Sequence, residues 1–157
     1  MSAQAIHATA PLGALIRYSD GEPRPPAHFV KKLKAWRDNN GIGRLIRKDV
    51  STLHGAFTMP ASITLHHGDF SSAGTILLTV QFTYSLNSKL VFEIINRPAH
   101  GSVLILHTSR RCPELLHVAP SRGAAEAWLR ANPYPGAVLE ETPIDASAPS
   151  QSLGRVA

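Results

Sequence analysis

Residues 75–86 read TILLTVQFTYSL, and the alternation in that stretch decides the fold class. Ile76, Leu78, Val80, Phe82, Tyr84 and Leu86 fall on one side of an extended chain. Thr75, Thr79, Gln81, Thr83 and Ser85 fall on the other, together with Leu77. Successive strand side chains point to opposite faces, so this is the pattern of a long antiparallel strand, one face buried and one in water. The pattern resumes after Asn87-Ser88 with Leu90, Phe92 and Ile94. A two-residue turn at Asn87-Ser88 would set Glu93 opposite Phe82, in the apolar row. A shift of one residue sets Tyr84 opposite Phe92 instead, so burial predicts a hairpin here with an odd-numbered connection.

On either side of that strand, shorter ones are expected at residues 12–18, 43–48, 53–57, 62–67, 102–108 and 137–140, separated by Gly, Pro, Asn and Asp turns. A helix is expected over about 26–39, opened by Pro26 and stopped by Asn39-Asn40-Gly41. Phe29, Val30, Leu33 and Trp36 share one arc of it, the face expected to be buried, and Lys31 and Lys34 lie opposite. A second helix is expected over 121–131, with Ser121 as N-cap and Asn132-Pro133 as its end. The fold class is therefore α+β: a mainly antiparallel sheet of about 5–8 strands with two helices on one face. Residues 1–10 and 142–157 are small, polar or Pro/Ser/Ala-rich and are expected to be flexible tails around a single domain at 11–141.

The 157 residues carry a net charge of +5, and it is unevenly placed. Between Arg17 and Lys48 there are nine basic and three acidic residues, so one segment accounts for the basic character. Such a patch attracts polyanions. Arg24, Lys31, Lys32, Lys34, Arg37, Arg44, Arg47 and Lys48 are the expected contacts, and nucleic acid or an acidic protein surface is the expected partner. The same charges also suit a merely solvated helix face. Phe29 and Trp36 are expected on the core side, which removes them as stacking platforms.

The remaining candidates are sparse. His66-His67-Gly68-Asp69, with His107, is the best place to look for acid–base chemistry. Adjacent strand residues face opposite ways, however, so His66 and His67 converge only if the strand has already turned. No His or Cys spacing of a metal site occurs, and no phosphate-binding glycine loop or nucleophile motif, so neither a metal nor a cofactor is expected. Cys112, after Arg110 and Arg111, reads as a structural thiol; alone, it excludes an internal disulfide. The longest apolar runs, such as residues 103–106, are too short to span a bilayer, and no basic residue precedes Arg17 as a secretion signal would require. A cytoplasmic protein is expected, of the Arg-rich composition associated with accessory proteins of bacteria or phage. The leading expectation is a non-enzymatic binding protein acting on nucleic acid. The alternatives are an adaptor or inhibitor docking on a protein partner, and a small enzyme built on the histidines.

Overall fold

A computed structural model describes residues 1–108 and 111–143. In chain order the elements are α1 (Ala3–Thr9), β1 (Leu15–Ser19), α2 (Val30–Asn39), β2 (Gly41–Asp49), β3 (Thr52–His54), β4 (Phe57–Met59), β5 (Ser62–Ser72) and β6 (Thr75–Ser85). There follow β7 (Val91–Asn96), β8 (Val103–His107), β9 (Glu114–Ala119), α3 (Arg122–Ala131) and β10 (Ala137–Glu141). Eight strands form one mostly antiparallel, curled sheet, and β3 and β4 form a separate two-stranded hairpin. Three helices are present among the described residues, not two.

β2 is the junction of the sheet. Its first residues pair with β1 (Ile16↔Gly43), and Arg44 to Asp49 pair with β5 on the opposite edge. Arg47 pairs with both Thr64 of β5 and Glu114 of β9, so β9 takes over the edge that β1 leaves. Beyond β1 lies β7, beyond β5 lies β6, and β9 leads to β8 and β10. The loop before β1 is laced into this junction. Gly13 donates to the Leu45 carbonyl at 2.8 Å with φ at +88°, a conformation that favours glycine, and a Cβ there would lie 3.0 Å from Pro98.

The concave face holds the main core: Ile16, Tyr18, Leu45, Ile63, Leu65 and Phe92, closed by Ala3, Ile6 and Ala10 of α1. Residues 1–10 are therefore not the flexible tail expected of them. Ile6 is fully buried, the Lys48 ammonium donates to the Ala10 carbonyl at 2.9 Å, and Met1 and Phe92 exchange two backbone hydrogen bonds. A cation at a helix C-terminus answers carbonyls that have no partner inside the helix. A smaller core lies between α3 and β8, β9 and β10, around Ile105 and Ala125. The N-cap of α3 is Ser121, whose hydroxyl accepts from the Ala124 amide. Thr142 is bonded to Ser102, and residues 144–157 of the expected C-terminal tail lie outside the described residues.

Four further expectations fail. The arc of α2 expected in the core is mostly in water: only Leu33 is buried, while Phe29 and Val30 are exposed and Trp36 is half-buried. The helix is held instead by polar contacts toward its C-terminal end. Trp36 Nε1 donates to the Glu22 carbonyl at 2.7 Å, and Asn40 bonds Asp20 and Ser19. Packing of both expected helices on one face is thus not what holds α2. The β6–β7 hairpin does not form either: β6 pairs with β5 and β7 with β1, although the Tyr84 and Phe92 rings still meet in the core at 5.6 Å. Residues 53–57, expected as one strand, are the tip of the β3–β4 hairpin, and β9 is a strand where only a connection was expected.

Candidate functional site

β5 and β6 are longer than the strand they stand on. The last pair between β2 and β5 is Arg44↔His66, and β5 then runs on to Ser72 paired only with β6. The two strands close at Ala73-Gly74, both with positive φ, as a two-residue primed turn requires. Residues 68–80 thus form an arm that projects past the N-terminal end of β2. On it Phe70, Leu77 and Leu78 are 57–70% exposed. α2 connects the C-terminal end of β1 to the N-terminal end of β2, so it lies at that same end of the sheet.

The eight expected cations divide into two groups. Arg24, Lys31, Lys32, Lys34 and Arg37 are exposed on α2 and the loop before it. Lys34 pairs with Asp38 at 3.3 Å, and the Lys32 ammonium sits 5.2 Å from the Phe29 ring centre. Arg44, Arg47 and Lys48 belong to the scaffold. Arg44 donates to the Gly13 carbonyl at 2.9 Å, and Arg47 bridges Asp49 at 2.8 Å and Glu114 at 3.5 Å. Burial lowers the pKa of Lys48, whose ammonium bonds the end of α1. An alternating strand inside a junction puts its cations against carbonyls and carboxylates; the charge run alone cannot separate these from the helix cations.

The histidines divide as well. A bulge at His67 sets it apart from the residues on either side of it in the β5–β6 ladder. Its ring lies on the concave side, 4.9 Å from Phe82 and 5.5 Å from Tyr18, and burial, then the neighbouring His66, lowers its pKa. His66 faces the other way, bonding Asp69 at 3.0 Å. Asp69 also accepts from the Thr79 hydroxyl at 2.8 Å, and these two bonds hold its carboxyl below the usual range. His107 is elsewhere, with its ring 6.3 Å from Tyr134. His66 and Asp69 are therefore brought together, while His67 and His107 are not. No group of three potential metal ligands occurs among the described residues. Cys112 is half-buried, and Arg110 before it lies outside the described residues.

A cleft of about 490 Å³ opens over His66 and Asp69, between the β5–β6 pair and the β9–α3 unit. Arg44, Gln81 and Thr79 complete one wall. His117, Trp128 and Tyr134 stand in the other, their rings stacked nearly parallel at 4.9 and 6.0 Å. Burial, then the charge of Arg44, lowers the pKa of His117 and favours its neutral form. None of these three residues was among the expected site residues, and no spacing in the sequence connects them.

No helix of the described residues is long and apolar enough to cross a membrane. No curated protein and no solved structure matches the chain. A family described as "Uncharacterised conserved protein UCP036055" matches residues 1–146, and the chain belongs to that family.

Proposed function

We propose that this is a non-enzymatic binding protein that docks on an acidic protein surface, using the arm of β5 and β6 together with the basic face of α2. One observation carries the reading. The arm exposes Phe70, Leu77 and Leu78 at the end of the sheet where Lys31, Lys32, Lys34 and Arg37 are exposed. Contiguous apolar surface is uncommon on a protein that acts alone, and apolar anchors rimmed by charge are the usual anatomy of an interface. Opposite charge on the partner would steer association, and the apolar tip would slow release.

Nucleic acid is the second reading, favoured by the five exposed cations between Arg24 and Arg37. It is weaker than the charge run suggested, since Arg44, Arg47 and Lys48 are committed inside the fold. It also leaves the apolar arm without a use.

The test is affinity capture from the native host with nuclease-treated and untreated lysate, using three baits. These are the wild-type chain, Leu77→Asp/Leu78→Asp, and Lys31→Glu/Lys34→Glu/Arg37→Glu. A nuclease-resistant protein lost by both variants supports docking, provided both melt within a few degrees of the wild type. Binding that disappears with nuclease, is lost only by the charge variant and falls steeply with salt supports the nucleic-acid reading. A partner retained by both variants overturns both.

A further inference from the structure

The cleft over His66 and Asp69 lies on the sheet face opposite the main core, and it takes from the arm Asp69, Ile76 and Thr79 rather than the docking residues Phe70, Leu77 and Leu78. Its polar wall is built by register. Arg44, His66 and Gln81 are direct cross-strand neighbours on β2, β5 and β6, and Asp69 and Thr79 form the next row of the same face. Side chains directly opposite on antiparallel strands lie close enough to act on one ligand. The row offers a guanidinium, an amide that both donates and accepts, and a carboxylate fixed by His66 and Thr79. Two bonds leave that carboxylate further acceptor capacity.

The facing wall is aromatic. His117 and Trp128 are stacked with an interplanar angle of 5°, and Trp128 and Tyr134 with 10°. The three rings thus form a pile of one orientation that a further flat ring can extend, and Ile46 and Leu115 line the cleft beside it. Its volume, about 490 Å³, is within the range of small-molecule sites. The charges close to neutrality. Arg44 and Asp69 line the same wall with opposite charge, and Glu114 is paired with Arg47. His117 is disposed to be neutral. A wall with no charge surplus does not select an ionised ligand, and an aromatic stack opposite a donor–acceptor edge selects a planar one.

We infer that this cleft binds an uncharged, planar nitrogen heterocycle of nucleoside size, its ring extending the His117–Trp128–Tyr134 stack and its polar edge on Gln81 and Asp69. An amino group on the ring would donate to Asp69 and a ring nitrogen would accept from Gln81. Arg44, already bonded to the Gly13 carbonyl, would reach the ligand with its remaining donors.

The chain has two tryptophans, Trp36 and Trp128, so Trp36→Phe leaves Trp128 as the reporter inside the cleft. Adenosine, guanosine, their 5′-monophosphates and glucose are titrated into this variant, following Trp128 emission and, independently, heat of binding. A saturable change with adenosine or guanosine is expected, weakened at least about tenfold by Gln81→Ala and by Asp69→Asn, a loss of the size a buried hydrogen bond to a ligand carries. Gln81 is exposed, so Gln81→Ala keeps its melting temperature and separates loss of binding from loss of fold. Three results would each overturn the inference: no saturation by either nucleoside, equal affinity in the two variants, or saturation by glucose alone. Tighter binding of the monophosphates would overturn the uncharged class.

Discussion

The two halves of the β5–β6 hairpin are made of the same two strands with the same alternation, and they end in opposite environments. In the half that holds Ile63, Leu65 and Tyr84, the apolar side is roofed by α1 and belongs to the main core. In the half that pairs Phe70 with Leu78, nothing among the described residues covers it. Alternation reports which side chains share a face. It does not report whether anything covers that face, and here a seven-residue helix makes the difference.

The contrast can be broken at five points. Phe92 is fully buried beneath α1 and against Tyr84, so Phe92→Ala is expected to lower unfolding free energy by about 3–5 kcal/mol in urea titration. Ile6→Ala tests the roof itself, with an expected loss of about 2–5 kcal/mol. An unchanged urea midpoint there would mean that α1 is not what makes the covered half a core. Arg47→Met leaves Asp49 and Glu114 without their shared cation in the junction and is expected to cost about 1–3 kcal/mol, read in the same titration. A silent Arg47→Met would free that side chain for a partner and revive the larger basic patch.

The fourth point is a pH slope. The folded-state pKa values of His67 and His117 lie below the ordinary value of 6.5, so the unfolded chain binds more protons in that window. Stability from these groups is complete well above pH 6.5 and falls as the pH drops through 6.5 toward the folded values. Melting between about pH 7.5 and 5.5 should therefore show a decline that His67→Leu makes shallower, the remainder belonging to His117. An equal slope in the variant would mean that the His67 ring is not excluded from water at the root of the arm. The smallest effect is expected at the tip. Phe70→Ala and Leu78→Ala should each move stability by less than about 0.5 kcal/mol while weakening capture of the partner. A loss as large as that of Phe92→Ala would show that the arm is packed after all.

Much of the fold was legible where side-chain period and turn chemistry agreed. The long strand, the ends of α2 at Asn39 and α3 at Ser121, and the antiparallel class follow from local pattern. What escaped depends on distant partners. α1 has one large core side chain, Ile6, and no charge pattern; it is a helix because the concave face needs a roof. β9 was hidden because its ladder with β8 shifts at Leu116, and an extra residue destroys period two. The same device, at Leu77, moves Ile76 off the apolar row and onto the rim of the cleft with Thr79 and Gln81. Of the candidate site, His66 with Asp69 was readable from four adjacent residues. The stack of His117, Trp128 and Tyr134 was not, since a strand, a helix and a turn supply one ring each.

The junction at β2 also sets the order in which the molecule can assemble. Its neighbours come from residues 15–19 before it, 62–66 after it, and Glu114 far downstream, while β1 takes its own second neighbour from residues 91–96. Closing such spans costs entropy before the contacts form, so refolding is expected on the millisecond-to-second scale of sheet proteins rather than the microseconds of helical bundles. During synthesis the hairpin of β5 and β6 is complete long before Glu114 emerges. Until then the second half of β2 has an open edge, and the nascent chain waits on its last third to close it.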